Sequence, residues 1–159
     1  WFTNDTCDYR VNPPIRTADD VQALIDAIRS GVVDAIATDH APHSEEDKLK
    51  GMAGMVGSET AFGVCYTKLC REQRLPLEML SFLMSAGPAA VLGLADRKGM
   101  LEPGYDADIV LVDLDHMYEV HADELHSKSK NCPYDGESFY GQVMMTIKGG
   151  KVTYQKDKQ

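Results

Sequence analysis

The chain has 159 residues, 43% of them apolar, and a formal charge of -9 at pH 7. That length allows one compact domain or parts of two. The negative balance excludes a nucleic-acid surface built on a basic stripe, and no apolar run is long enough to cross a bilayer. A small anionic substrate stays compatible with it, because local positive groups outweigh the global field.

The chain opens Trp1-Phe2-Thr3-Asn4-Asp5, without an initiator methionine or a signal-peptide pattern, and reads as a tail piece or a processed product. Cys7, Cys65, Cys70 and Cys132 have no CxxC spacing. They read as free thiols in a reducing, cytoplasmic compartment, not as a zinc knuckle.

Residues up to Arg16 are irregular, and Asn12-Pro13-Pro14-Ile15-Arg16 is stiff because each proline fixes its own φ and restricts the residue before it. Asn12 is thus either a presented side-chain amide or part of a plain turn. Thr17 predicts an N-cap, with Asp19 and Asp20 suiting the first turn of a helix. Val21, Leu24, Ile25 and Ile28 follow at helical spacing as its inward face, and Ser30-Gly31 ends it.

Val32-Val33-Asp34-Ala35-Ile36-Ala37 then reads as a buried strand. It cannot continue through Ala41-Pro42, because proline lacks the N–H that a ladder needs. Thr38-Asp39-His40-Ala41-Pro42-His43 therefore lies just past the carboxyl end of a strand. Parallel α/β folds place their chemistry there. The plainer alternative is a turn-forming Asp beside surface histidines.

Residues 44–57 give a solvated charged loop, Ser44 to Lys48, followed by Gly51, Gly54 and Gly57. The glycines let backbone approach a ligand, and the expectation is a mobile loop closing over the site. Ser58-Glu59-Thr60 starts a second helix carrying Ala61, Phe62, Cys65 and Leu69. A third starts near Pro76, with Leu77, Leu80, Leu83 and Met84 inward, and a short one runs from Pro88 to Leu94. After Gly99 the pattern turns to β. Ala107 to Asp113 is a strand, and Val143–Ile147 and Lys151–Tyr154 form a hairpin about Gly149-Gly150, with a polar loop over 127–141 between.

Several stretches together resemble the carboxyl-terminal part of a dihydroorotase of the amidohydrolase superfamily. They are Val11-Asn12-Pro13-Pro14-Ile15-Arg16, Ala37-Thr38-Asp39-His40-Ala41-Pro42-His43, Gly54-Met55-Val56-Gly57-Ser58-Glu59-Thr60-Ala61, Gly104-Tyr105-Asp106-Ala107-Asp108, and Ser127-Lys128-Ser129-Lys130-Asn131-Cys132-Pro133-Tyr134-Asp135-Gly136.

The resemblance implies an α/β fold: the C-terminal portion of a (β/α)8 TIM-type metal-dependent hydrolase barrel over residues 1–98, and part of a small β-sandwich over 99–159. It implies hydrolysis of the cyclic amide of dihydroorotate to N-carbamoyl-aspartate, reversibly, with zinc as cofactor. Asp39 would be the catalytic carboxylate and a metal ligand. Asn12 and His43 would bind the substrate's carboxylate or ring amide, and the Ala53-Gly54 backbone would contact the ring. Arg16 reads as a structural ion-pair residue.

The family's His-x-His pair, its carbamylated Lys or Asp, and its two further His are absent from this chain. His116, His121 and His126 fall in the β appendage and read as surface groups. The chain alone is therefore expected neither to bind two metals tightly nor to turn over dihydroorotate. An open barrel edge predicts a homo-oligomer or association with the missing N-terminal part. The competing readings are a dihydropyrimidinase, hydantoinase or allantoinase, and a non-catalytic assembly partner.

Overall fold

The structure, a computed structural model, describes residues 9–156. Cys7 lies outside them. Cys65, Cys70 and Cys132 are free thiols. Burial pushes all three thiols up, so none is an activated nucleophile. Among the described residues no helix is long and apolar enough to cross a membrane.

Helix α1 (Ala18–Arg29) begins as its sequence dictates. The Thr17 N–H donates to Asp20 Oδ2 at 3.0 Å, and the Asp20 N–H returns a bond to Thr17 Oγ1 at 3.4 Å. This reciprocal cap satisfies donors that the first turn leaves open. Arg16 Nε lies 3.7 Å from Asp20, in the ion-pair role expected of it. At the other end Gly31 takes φ 73, and Val32 N–H reaches back to Ala27 O. The expected inward stripe is only partly covered. No residue of α1 is buried, and Leu24 is 62% exposed. Ile25 and Ile28 on that face are half-buried, while Val21 and Leu24 stay exposed.

The run 32–37 is not a strand. It pairs with no neighbour among the described residues, and Val32 is 73% exposed. Apolar pattern gives a run its preference for extension; a ladder needs a second chain segment alongside. One backbone bond does hold it: Ile36 N–H donates to Leu83 O at 2.9 Å.

That bond has a local cause. Helices α4 (Leu77–Ser81) and α5 (Gly87–Val91) are joined by π-type turns over Phe82–Ala86, where the Gly87 N–H bonds Phe82 O. The next donor in that wide register would be Pro88, which has no N–H. Leu83 O is thereby left for Ile36. Wide turns also continue α3 (Ala61–Cys65) through Tyr66–Glu72, so the expected plain α-helices differ in their second halves.

The chain divides into two compact units. The first comprises the described residues up to Ile25, Thr38–Ala61 and Glu119–Ser138. Val56, Val120 and Ala122 form its buried apolar part. The second comprises Asp26–Ala37, Phe62–Tyr118 and the chain from Phe139 onward. Leu75, Leu80, Leu83, Ala89 and Phe139 are its buried apolar residues.

The second unit carries a three-stranded sheet ordered β1 (Ile109–Glu119), β2 (Ser138–Lys148), β3 (Lys151–Gln155). β2 and β3 are antiparallel, with Lys148 opposite Lys151. Gly149 and Gly150 at φ 54 and 77 make the two-residue turn that was expected.

The Gly104–Asp108 stretch anchors this hairpin. Lys98 Nζ lies 2.7 Å from both Asp106 and Asp108. Lys148 Nζ also bonds Asp108, and Gly149 N–H donates to Asp108 Oδ1 at 2.8 Å. Hydrogen bonds from Lys148, Lys98 and Gly149 hold the Asp108 carboxyl well below the usual carboxylate range. Lys98 likewise holds Asp106 low. Bonds to Asp106 and Asp108 raise Lys98 above the ordinary lysine range.

The stability these groups give has a defined pH window. An unfolded Asp titrates near about 3.9, above its folded value here, so the contribution is full above about pH 5 and declines as pH falls. The Lys98 contribution is full at neutral pH and is lost only in strong alkali. Thermal melts from pH 7 to pH 3 should show a steeper fall in Tm for the native sequence than for Asp108→Asn. Parallel curves would contradict this.

Candidate active site

The loop of residues 38–43 lies within the first unit and is held from both sides. Asp39 sits at φ 49, a left-handed conformation that Asp tolerates better than most residues. It is exposed, and its carboxylate makes no hydrogen bond or ion pair with a described residue. Its neighbours are fixed. The His40 backbone N–H donates to Thr38 Oγ1 at 3.3 Å. His40 Nδ1 accepts from the backbone N–H groups of Gly57 and Ser58 at 3.1 and 3.2 Å. Two donors converge on that nitrogen, so the proton of the neutral ring sits on Nε2. His40 also bridges Met55 in parallel, and Ala41 N–H donates to Met55 O.

The segment facing this loop is anchored. Gly54 N–H donates to Arg10 O at 2.8 Å, and Val56 N–H to Asn131 O at 3.0 Å. With the Met55 bridge, these bonds make 53–58 a backbone-anchored ledge. Gly54 is required twice over. Its φ is 140, and an added Cβ would collide with the Ala41 carbonyl and lie 2.8 Å from Ala41 Cβ.

His43 Nε2 lies 3.0 Å from Ala53 O. A carbonyl only accepts, so Nε2 carries the proton and Nδ1 offers a lone pair. Of the expected site residues, His43, Ala53 and Gly54 are thus brought into direct contact. Asn12 is exposed, joined to Pro13 by a cis bond, and two residues beyond the Arg10 carbonyl that holds Gly54. Asp39 joins the group through Thr38 and His40.

Three features were not foreseen. The charged stretch is not simply solvated: Ser44 Oγ accepts from Asp47 N–H and caps a short helix, α2 (Glu45–Leu49). Within it Lys48 is 2% exposed, its Nζ bonded to Gly54 O and Arg10 O. No charge pattern separates it from Lys50, which pairs with Glu46 in solvent. The third is Glu59. It accepts from the backbone N–H groups of His126 and Ser127 at 2.9 and 3.1 Å, and from His126 Nδ1. Burial pushes the Glu59 carboxyl up, but these bonds outweigh it and leave it below its ordinary value. His126 is exposed as expected, yet belongs to this first unit.

Among the described residues no group of three or more His, Cys, Asp or Glu could hold a metal ion. In the loop the Asp39 carboxylate and His43 Nδ1 are uncommitted donors. A catalytic zinc takes three protein ligands, more than the described residues bring together.

Residues 1–154 match the model of the amidohydrolase family. The chain is 52% identical to a dihydroorotase of Clostridium botulinum over 98% of its own length and 38% of that protein's. It is 42% identical to a dihydroorotase of Lactobacillus gasseri, spanning 36% of it. Among solved structures, an L-hydantoinase (dihydropyrimidinase) from Arthrobacter aurescens matches 99% of the chain with TM-score 0.89 and 32% identity, over 38% of its own length. A D-hydantoinase (dihydropyrimidinase) from a Thermus species matches 94% with TM-score 0.89 and 27% identity, over 34% of its own length. The chain thus spans a little over a third of these relatives, and its α/β fold is that part of the amidohydrolase TIM barrel with its partial sheet. On the strength of the loop, the ledge and these matches, the chain belongs to the amidohydrolase family.

Proposed function

We propose that the chain is the carboxyl-terminal part of a dihydroorotase, a hydrolase opening the cyclic amide of dihydroorotate to N-carbamoyl-L-aspartate and closing it in reverse. The observation that carries this reading is the uncommitted Asp39 carboxylate on a loop fixed against the ledge that holds His43, Ala53 and Gly54. The dihydroorotase relatives support it over nearly the whole chain.

A cyclic amide is a poor electrophile with a poor leaving nitrogen. Asp39 takes a proton from the attacking water and returns it to that nitrogen. His43 has its Nε2 proton engaged by Ala53 O, so its free Nδ1 accepts a ring N–H of the substrate. Asn12 donates to the substrate carboxylate, and the Ala53-Gly54 backbone meets the ring edge. Bound zinc would supply Lewis acidity; Asp39 would be this chain's donor to it, and further ligands would have to come from the rest of the assembled protein. The barrel part covers residues 1–98 and the sandwich part 99–159. The assembled protein is cytoplasmic and works with the missing barrel segment or as a homo-oligomer.

The hydantoinase structures favour a second reading, a hydantoinase or dihydropyrimidinase. A hybrid tests both: this chain replaces the matching 38% of the C. botulinum dihydroorotase. Dihydroorotate should be opened at least about tenfold faster than hydantoin, dihydrouracil or allantoin, as expected for a site built to bind a substrate carboxylate. The reverse order would place the chain with the hydantoinases. A folded hybrid inert on all four would favour the non-catalytic role.

A further inference from the structure

Lys48 is buried where a hydrophobic residue would be cheaper to hold. Desolvating an ammonium is costly unless good acceptors surround it. Lys48 Nζ has Gly54 O at 2.9 Å and Arg10 O at 3.1 Å. The same Arg10 carbonyl accepts the Gly54 N–H at 2.8 Å. Arg10 O thus receives two donors, and Gly54 is held by both its N–H and its C=O. Such charge-assisted bonds in a buried setting are stronger than neutral ones. Through this triangle one side chain fixes the segment leading into Asn12 against the ledge that contacts His43.

We propose that Lys48 is a positioning residue, setting the spacing between the Asn12 segment and the Ala53-Gly54 ledge so that both meet one bound ring. The proposal rests on the site reading above. It assigns Lys48 an effect on substrate binding with little on the proton transfer. The loop bearing Asp39 is held by a different set of bonds, donated by the Gly57 and Ser58 N–H groups to His40 Nδ1. Removing the ammonium leaves the Gly54 carbonyl without that donor and lets the Ala53-Gly54 end of the ledge shift, while Gly57 and Ser58 at its other end keep their bonds to His40.

The test uses the hybrid, with Lys48→Met, Lys48→Gln and, as control, the exposed Lys50→Met. KM and kcat are measured on whichever cyclic amide the unsubstituted hybrid opens, so a wrong substrate assignment does not mask the result. Lys48→Met should raise KM about tenfold or more with kcat within about threefold, the pattern of lost binding. Lys48→Gln, which keeps an N–H donor, should fall between, and Lys50→Met should match the parent. Independently of turnover, amide exchange at Gly54 should speed up about tenfold in Lys48→Met, since it follows local opening. A parental KM in Lys48→Met, a fall in kcat alone, or failure of both Lys48 variants to fold would overturn the proposal. Inactivity of the unsubstituted hybrid on every amide would instead sink the site reading, and the exchange result would still judge the triangle.

Discussion

Asp39→Asn in the hybrid is expected to lower kcat about a thousandfold while leaving the protein folded, within the range general acid–base groups contribute. The two halves of that expectation have separate grounds. The loss follows because the amide of Asn can neither take the water's proton nor return it to the leaving nitrogen. Retained folding follows from the exposed, unbonded state of the carboxylate, on which no described residue depends. The backbone there sits at φ 49, and Asn is the residue other than Gly that enters this region most readily. Asp39→Val is the informative contrast. A β-branched residue at positive φ adds strain of about 1–3 kcal/mol, so it should lower Tm as well as activity. If Asp39→Asn keeps more than about a tenth of the parental kcat, Asp39 is not the proton carrier.

Gly54→Val should be the most damaging single change to the ledge, costing about 2–4 kcal/mol from backbone strain and overpacking together. At φ 140 no L side chain is comfortable, and the new Cβ would collide with the Ala41 carbonyl. Its next neighbours, Ala41 Cβ at 2.8 Å and His43 Cδ2 at 3.1 Å, belong to the loop bearing Asp39. Relief requires that loop to move, so the variant should lose turnover as well as stability. Gly149→Ala is the control: also at positive φ, but with nothing within 4 Å of the added Cβ, it should cost about 1 kcal/mol and leave kcat alone. Urea unfolding of both variants beside the parent gives the comparison. Equal costs at the two glycines would mean that close approach to Ala41 has no energetic weight.

What the sequence made legible is local. The α1 cap and the hairpin turn are written in residues a few positions apart, and each stands where expected; the loop around Asp39 forms, but without the strand expected to lead into it. The strand expected over 32–37 failed because a ladder depends on a neighbour that the described residues do not supply. The α1 stripe is covered only in part, at Ile25 and Ile28 but not at Leu24: periodicity marks a face fit for burial, and burial needs something to cover it. Lys48 was missed for a different reason. Its role is set by carbonyls of Arg10 and Gly54, and backbone acceptors leave no trace in side-chain identity. The wide turns before Pro88 were half legible: proline announces a missing donor, but not which segment takes up the freed carbonyl.

The most direct test is a crystal structure of the hybrid with dihydroorotate bound. The Asp39 carboxylate should stand about 3–3.5 Å from the ring nitrogen that leaves, on the same face as the His43 and Asn12 contacts. A ring bound in the barrel mouth with Asp39 turned away from that nitrogen would contradict the account.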